Sequence, residues 1–236
     1  DYIHKDTGAK IIKMQHSEAE LSSTGIHGRS GVTCADCHMP YKRNGAEKVT
    51  THTILTPYND LNSACKTCHP QSEKELKARV DFIQNRFSYE LRNCENDLLA
   101  LIQDIKDARA LLAKNEKFAS IADEKERNEA ISKALEKTLY LHRKTHIRWD
   151  FAFSENSYGF HGDEEGMRII GQCKEFAREG QLQLVNDLKP YGITIELRRK
   201  ADAVAAPAPI GHEYPVGVPP TEKMKQVDEN VKNLKF

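Results

Sequence analysis

Two short segments contain the residues best suited to chemistry. They are Cys34-Ala35-Asp36-Cys37-His38 and Cys65-Lys66-Thr67-Cys68-His69. Each has the form C-x-x-C-H, which is the attachment signature of a c-type haem. Two intervening residues let both thiols reach neighbouring edges of one macrocycle, and the histidine that follows can bind the iron. The spacing therefore predicts two covalently attached haems, with His38 and His69 as the proximal ligands.

Two other uses of paired cysteines are less consistent with this sequence. Two C-x-x-C pairs also form the skeleton of a four-cysteine zinc site, but that interpretation leaves the histidine after each pair unexplained. A thioredoxin-like redox pair is disfavoured because no βαβ pattern surrounds either motif. Covalent haem is therefore the preferred interpretation.

The charge balance argues against nucleic acid as the main partner. Lys plus Arg and Asp plus Glu number 35 each in the 236 residues, so the formal net charge is zero. A strong attractive field for phosphate is therefore not expected. No run of about eighteen apolar residues is present, so we expect no membrane-spanning segment.

The start of the chain and the cofactor together predict the compartment. The sequence begins Asp1-Tyr2-Ile3-His4, without an initiator Met or a secretion signal, so we expect a mature or incomplete product. Covalent haem attachment normally takes place outside the cytoplasm, and it would use four of the six cysteines. A periplasmic location is the resulting prediction.

Three regions are expected to position the motifs. Residues 1–70 hold six of the ten histidines and several Gly and Pro residues, so a cofactor would have to organise this loop-rich, haem-binding segment. Residues 71–190 are expected to form long helices, and residues 191–236 an extended arm and tail. We therefore predict a mainly α fold with little or no β-sheet.

The long-helix region shows a clear apolar period. Apolar residues recur at steps of three and four from Leu76 to Leu112, which predicts one long helix. A second helix is expected from about Asp123 to Phe153, with Glu126 placed for a capping box, and a third from Asp163 to about Leu188. The long stripe needs a partner, either within the chain or in a homodimer.

The remaining histidines and cysteines leave several possibilities. His27, His52 and His161 are candidates for distal iron ligands or for exposed loop residues, and the glycines beside His27 would let the backbone approach a flat macrocycle. His142 and His146 are four apart on a helix rich in Lys and Arg, where a solvated face is favoured over a shared metal. Cys94 and Cys173 are most simply buried small hydrophobes.

Several motifs in a fixed order resemble the carboxy-terminal half of the ammonia-forming, pentahaem cytochrome c nitrite reductases. The similarity extends from about Ala9 to about Leu188. It rests on the segments Lys13-Met14-Gln15-His16, Thr24-Gly25-Ile26-His27-Gly28, the two haem motifs, Arg148-Trp149-Asp150 and Phe160-His161-Gly162-Asp163-Glu164-Glu165.

The resemblance implies an assignment of haem ligands. Cys34, Cys37 and His38 would hold the family's fourth haem, with His161 as its distal ligand. Cys65, Cys68 and His69 would hold the fifth haem, with His27 as its distal ligand. His52 matches the distal ligand of the second haem, whose binding motif is absent from this sequence.

The resemblance also implies an active site and a reaction. His16 corresponds to the histidine over the catalytic iron, while the Gln15 side chain and the Lys13 carbonyl correspond to calcium ligands, a role that suits oxygen donors. The implied reaction is six-electron reduction of nitrite to ammonium. Electrons would come from a donor cytochrome or a quinol dehydrogenase. The implied assembly is a homodimer with five haems in each complete subunit, and in it the Leu76–Leu112 stripe of the 71–190 region would lie between the subunits.

The first three haem motifs of the family are absent from this sequence. Among them is the C-x-x-C-K motif of the catalytic haem, so the segment alone is expected to be inactive. Either the sequence is a fragment of a longer polypeptide, which we favour, or a second chain completes it. The alternative function is a non-catalytic multihaem protein of electron transfer.

Overall fold

Residues 2–199 are described in a computed structural model of the chain. Within them the first six helices are short except for one: α1 (Glu18–Thr24), α2 (Ile26–Arg29), α3 (Cys34–His38), α4 (Leu61–Ala64), α5 (Glu73–Lys114) and α6 (Glu116–Ala119). They are followed by α7 (Glu124–Ala134), α8 (Glu136–Phe153) and α9 (Asp163–Leu188). Single 3-10 turns cover Pro57–Asn59 and Lys189–Tyr191.

The described strands form two small antiparallel pairs. Strand β1 (Tyr2–Ile3) pairs with β2 (Lys10–Ile11), and β3 (Tyr41–Asn44) pairs with β4 (Glu47–Thr50). These elements confirm the mainly α fold. Among the helices described, none is both long and apolar enough to cross a membrane. The predicted arm and tail lie outside the described residues from residue 200 onward.

Contacts between residues divide the described chain into two compact units. The first comprises residues 2–17, 90–154 and 167–199, and the second comprises residues 18–89 and 155–166. The expected boundary at residue 70 falls inside the second unit, which contains both haem motifs. The division into a haem-binding segment, a long-helix region and a tail at residues 70 and 190 stays a prediction.

Helix α5 confirms the long helix that the apolar period predicts. Its stripe is covered from within the chain, however, because Leu101, Ile105, Ala108 and Leu112 are all fully buried. These four residues share one core cluster with residues of α6, α7 and α9, which are Phe118, Ile131, Leu184 and Leu188. Leu98, on the same stripe, is only 3% exposed. From Leu98 to Leu112 the expectation that this stripe pairs two subunits is therefore wrong.

The second predicted helix is interrupted, whereas the third has the predicted bounds. Asp123 caps α7 as expected by accepting from the Glu126 N–H at 2.8 Å. At Leu135 the backbone leaves the helical region, with φ −102° and ψ 15°. Asp187 of α9 then accepts from the N–H and hydroxyl of Thr138, so a carboxylate from another helix caps the first turn of α8.

Cys94 and Cys173 are buried, but they are not free thiols. They form a disulfide that joins α5 to α9 across 79 residues of sequence. The sequence interpretation as two small hydrophobes is correct about burial and wrong about chemistry. Two cysteines left over after haem attachment form an even pair, which was the available signal for a disulfide.

The expectation of a solvated face at His142 and His146 is also wrong. His142 is fully buried and His146 is 8% exposed. The amino-terminal residues cover this part of α8, since the Thr7 hydroxyl lies 3.2 Å from His142 Nδ1 and the His4 ring packs against the His142 ring. Burial, and then the neighbouring His4 and His146, lower the pKa of His142 to about 3.

Candidate haem sites and the Lys13–His16 segment

The first haem motif is a short helix with a strong amino-terminal cap. The Thr33 hydroxyl accepts from the Asp36 N–H, and the Asp36 carboxylate accepts from the Thr33 N–H at 2.7 Å. This reciprocal capping box explains why only five residues, Cys34–His38, form a helix. Its single turn fixes the spacing of Cys34, Cys37 and His38.

The second haem motif also forms a helical turn. It follows α4 directly, and the His69 N–H donates to the Cys65 carbonyl at 2.9 Å. The four motif cysteines are free, and Cys34 and Cys68 are exposed. Burial raises the pKa of the Cys37 and Cys65 thiols, and at Cys37 the Cys65 thiol raises it further. Both motifs therefore offer the unpaired thiols that thioether attachment requires.

Two pairs of histidine rings lie close together in the second unit, one pair tilted and the other nearly perpendicular. The ring centres of His38 and His161 are 6.2 Å apart, and those of His27 and His69 are 6.0 Å apart. Two imidazoles on opposite sides of one metal ion would have centres about 6.2–6.4 Å apart, given metal–nitrogen bonds of about 2.0–2.1 Å and a ring centre roughly 1.1 Å behind each nitrogen. The observed spacings therefore fit one iron between the rings of each pair.

In the first pair, the neighbours of each ring indicate which nitrogen carries the proton. His38 Nδ1 lies 3.1 Å from the Leu55 carbonyl oxygen, and His161 Nδ1 lies 2.6 Å from Glu155 Oε1. Both neighbours are acceptors, so Nδ1 carries the proton in each ring. Nε2 is then the nitrogen left to bind metal, which is the arrangement usual for metal-binding histidines.

Close backbone packing holds the two distal candidates. A Cβ atom added at Gly25 would overlap the His161 carbonyl oxygen, and one at Gly162 would overlap the Leu21 carbonyl oxygen. A Cβ at Gly28 would likewise overlap the Ser22 carbonyl oxygen. The glycines beside His27 therefore serve backbone packing around the two histidines, which is a different reason from the expected approach to a macrocycle.

A buried carboxylate organises the turn that carries His161. The Glu155 side chain is fully buried and accepts from the Ser157 and Gly159 N–H groups at 2.8 and 2.7 Å. Burial alone would raise the pKa of Glu155, but the hydrogen bonds from His161, Ser157 and Gly159 lower it below its ordinary value. Glu155 therefore holds a carboxylate oxygen in direct contact with a candidate iron ligand.

The predicted catalytic and calcium segment lies in the first unit. Lys13, Gln15 and His16 are exposed there. The buried Asp150 binds this segment twice, since its carboxylate accepts from the Lys13 ammonium and from the Met14 N–H. His16 has a left-handed backbone, with φ of 57°. This conformation is uncommon for a residue other than glycine, and such strain clusters at functional sites.

His52 is not brought to either histidine pair. It lies exposed after β4, and no ring contact or hydrogen bond links it to the pairs in the described part of the chain. Between residues 2 and 199, no group of three or more His, Cys, Asp or Glu side chains is arranged to hold a metal ion. The two cysteine pairs therefore do not form a ready-made zinc cage in that region.

Comparison with known proteins identifies the family. A sequence model of the cytochrome c552 family matches residues 1–231, which is nearly the whole chain. The chain belongs to the cytochrome c552 family.

Curated relatives of this cytochrome c552 chain agree with the match. Cytochrome c-552 of Porphyromonas gingivalis is 34% identical over 198 residues, which are 84% of this chain and 36% of the relative. Cytochrome c-552 of Bacteroides thetaiotaomicron is 35% identical over 194 residues, which are 82% of this chain and 36% of the relative. The chain thus spans about a third of the length of these relatives.

A solved structure has the same fold over most of the cytochrome c552 chain. It is the catalytic subunit of the cytochrome c nitrite reductase of Desulfovibrio desulfuricans, which is described with two calcium sites. The sequences are 27% identical, the TM-score is 0.65, and the match covers 80% of this chain and 36% of that one.

Sequence reasoning on this cytochrome c552 chain missed two carboxylates that touch the predicted site residues. Asp150 lies in a motif that carried the resemblance, but nothing in the sequence ties it to Lys13, which is 137 residues away. Glu155 precedes His161 by six residues in an irregular turn. No periodic pattern marks such a residue, although an acidic residue close to a predicted metal-binding histidine is a usable signal.

Proposed function

We propose that this chain holds two c-type haems, each bound by two histidines, and forms part of an ammonia-forming nitrite reductase. The observation that carries the proposal is the pair of ring spacings, 6.2 and 6.0 Å, between each motif histidine and a histidine remote in sequence. These spacings fit iron ligation from both sides in each case.

The proposed ligands divide into two sets. Cys34, Cys37, His38 and His161 would hold one haem, and Cys65, Cys68, His69 and His27 the other. Haems held by two histidines each would supply single-electron transfer and would leave the iron closed to substrate. The chain's own task is then to fix the four imidazoles, which the capping box, the glycine contacts and the Glu155 turn support.

The Lys13–His16 segment is proposed to contribute to catalysis. His16 would donate a proton to a nitrite oxygen, and the Lys13 carbonyl and Gln15 side chain would bind calcium through oxygen. Two observations support this role: the left-handed backbone at His16 and the two contacts with buried Asp150. The described calcium sites of the Desulfovibrio desulfuricans enzyme are consistent with a calcium ligand set here.

The complete protein is proposed to carry five haems and to act in the periplasm. His52 would then bind the iron of a haem whose cysteines lie outside this sequence. A donor cytochrome or a quinol dehydrogenase would supply electrons. A homodimer remains part of the proposal, but its interface would have to use a surface other than the buried stripe residues from Leu98 to Leu112.

A multihaem protein of electron transfer is the alternative function. Two haems that are each held by two histidines would suit it, because neither would offer a site for nitrite. The two functions differ at His16. An electron-transfer protein does not need this residue, whereas the reductase needs it as a proton donor.

Nitrite turnover driven by reduced viologen tests the proposal. In the complete protein, His16→Ala should lower ammonium formation by about two to four orders of magnitude, as expected for a lost general acid. The spectra of the Cys34 and Cys65 haems should stay unchanged, and a His4→Ala control should keep its activity. Full activity without His16, or turnover by residues 1–236 alone, would contradict the placement of the catalytic centre.

A further inference from the structure

The contact between Glu155 and His161 sets one proposed haem apart from the other. The carboxylate oxygen lies 2.6 Å from His161 Nδ1, and the carboxylate is fully buried while the imidazole is 24% exposed. In a buried setting, a hydrogen bond to an ionised acceptor is stronger than one to a neutral group. Among the described residues, this is therefore the strongest hydrogen bond made by an imidazole nitrogen that would not bind the iron.

Among the described residues, the other ligands proposed for these two haems have no carboxylate partner. His38 Nδ1 faces the neutral carbonyl of Leu55 at 3.1 Å. His27 packs against the Phe160 ring, with centres 5.8 Å apart, and lies beside His69. Between residues 2 and 199, neither His27 nor His69 contacts a carboxylate. The two haems would consequently have axial ligands of unequal donor strength.

Glu155 is held so that its carboxylate cannot turn away. Its Oε1 accepts from Ser157 N–H as well as from His161, and its Oε2 accepts from Gly159 N–H. The turn contains two left-handed residues, Tyr158 with φ 53° and Gly159 with φ 87°. A Cβ at Gly159 would overlap the Phe87 ring, so the long helix fixes the turn from one side.

We propose that Glu155 is a positioning residue that lowers the reduction potential of the Cys34 haem through its hydrogen bond to His161. The proposal rests on the ligation of that haem by His38 and His161. A carboxylate that accepts from Nδ1–H raises the basicity of the metal-binding nitrogen, and it fixes both the tautomer and the ring orientation. A more basic ligand favours the ferric state. Reduction takes up one electron, and the proton stays on His161 Nδ1.

Potentiometric titration of the haem-loaded protein tests this role. Glu155→Gln removes the negative charge with little change in shape. It should raise the equilibrium constant for reduction of the Cys34 haem by about tenfold, which is about 59 mV for one electron. The potential of the Cys65 haem is an internal reference and should not move. An unshifted Cys34 haem in a folded Glu155→Gln protein would overturn the proposal.

A matched variant separates the hydrogen bond from nearby charge. Asp163 lies two residues after His161 and pairs with Arg86 at 2.7 Å, without contact to an imidazole. Asp163→Asn also removes one carboxylate charge, and it should shift the potential much less than Glu155→Gln. Equal shifts in the two variants would show that charge alone acts. Glu155→Asp keeps a carboxylate and should return the potential towards the wild-type value.

Two further measurements keep a failure of the ligation distinct from a failure of the proposal. His161→Ala should open the iron of the Cys34 haem and add a high-spin signal, and an unchanged spectrum would refute the ligation itself. If Glu155→Gln does not fold, the two haem potentials of the wild-type protein test the proposal. The Cys34 haem should then have a lower potential than the Cys65 haem, and the reverse order would overturn the proposal.

Discussion

Replacement of Cys94 and Cys173 by alanine should lower the free energy of unfolding by about 2–4 kcal/mol, the range typical of a native disulfide. The crosslink spans 79 residues. Loop-closure entropy for a loop of that length gives about 4.5 kcal/mol at 25 °C, which is an upper value because the reduced chain keeps some structure. Alanine is chosen because both sites are fully buried, where a serine hydroxyl would lack a partner.

Urea unfolding of the haem-loaded protein, followed by far-UV circular dichroism, measures this difference. A phosphine reductant should lower the midpoint of the wild-type protein and leave the double alanine variant unchanged. A thiol titration of the denatured, unreduced protein should detect no free thiol, since four cysteines would be in thioethers under the proposed function and two are in the disulfide. Two free thiols, or equal midpoints for both proteins, would refute the crosslink.

The remaining predictions concern the first unit. Asp150→Ala should lower the free energy of unfolding in urea by about 1–3 kcal/mol, because the Met14 N–H loses its acceptor. The same variant should lower nitrite turnover in the complete protein. The control Lys106→Ala removes an exposed ion pair and should lower the free energy of unfolding by less than about 0.5 kcal/mol. The pKa of His142 is about 3 in the folded protein, below its ordinary 6.5, so the unfolded state binds the proton first and stability falls as the pH drops from 6.5 towards 3. Between pH 7 and pH 5 the wild type should lose about 2 kcal/mol more than His142→Gln, and equal losses would contradict a buried neutral histidine.

The long helices were predictable because their information is local. Steps of three and four from Leu76 to Leu112 identify α5, and the acidic start at Asp163 identifies α9 with its observed bounds. The scarcity of β-sheet followed from the same patterns. The haem attachment motifs were also local, because the thiols and the proximal histidine of each lie within five residues.

Features that depend on distant contacts were not predictable in this way. The break at Leu135 accompanies a cap from Asp187, and His142 is buried by residues near the amino terminus. Helical period shows that a stripe is buried, but it does not show whether the partner lies in the same chain or another copy. The stripe of α5 was assigned to the wrong partner for that reason.

The two candidate distal histidines illustrate the same limit within the candidate site. From composition and spacing, His27 and His161 could each be an iron ligand or an exposed loop residue. Only the resemblance to a family favoured one of these two roles. The structure places each ring within 6.2 Å of one motif histidine, measured between ring centres. Glu155 required coordinates, because its importance comes from a single contact at a turn.

The intact mass of the denatured protein tests the central claim most directly. Covalent haems remain attached when all non-covalent contacts are lost, so the mass reports attachment at the two motifs independently of the fold. The account predicts the polypeptide mass plus two haems for residues 1–236. A polypeptide without haem adducts that binds zinc before denaturation would contradict it.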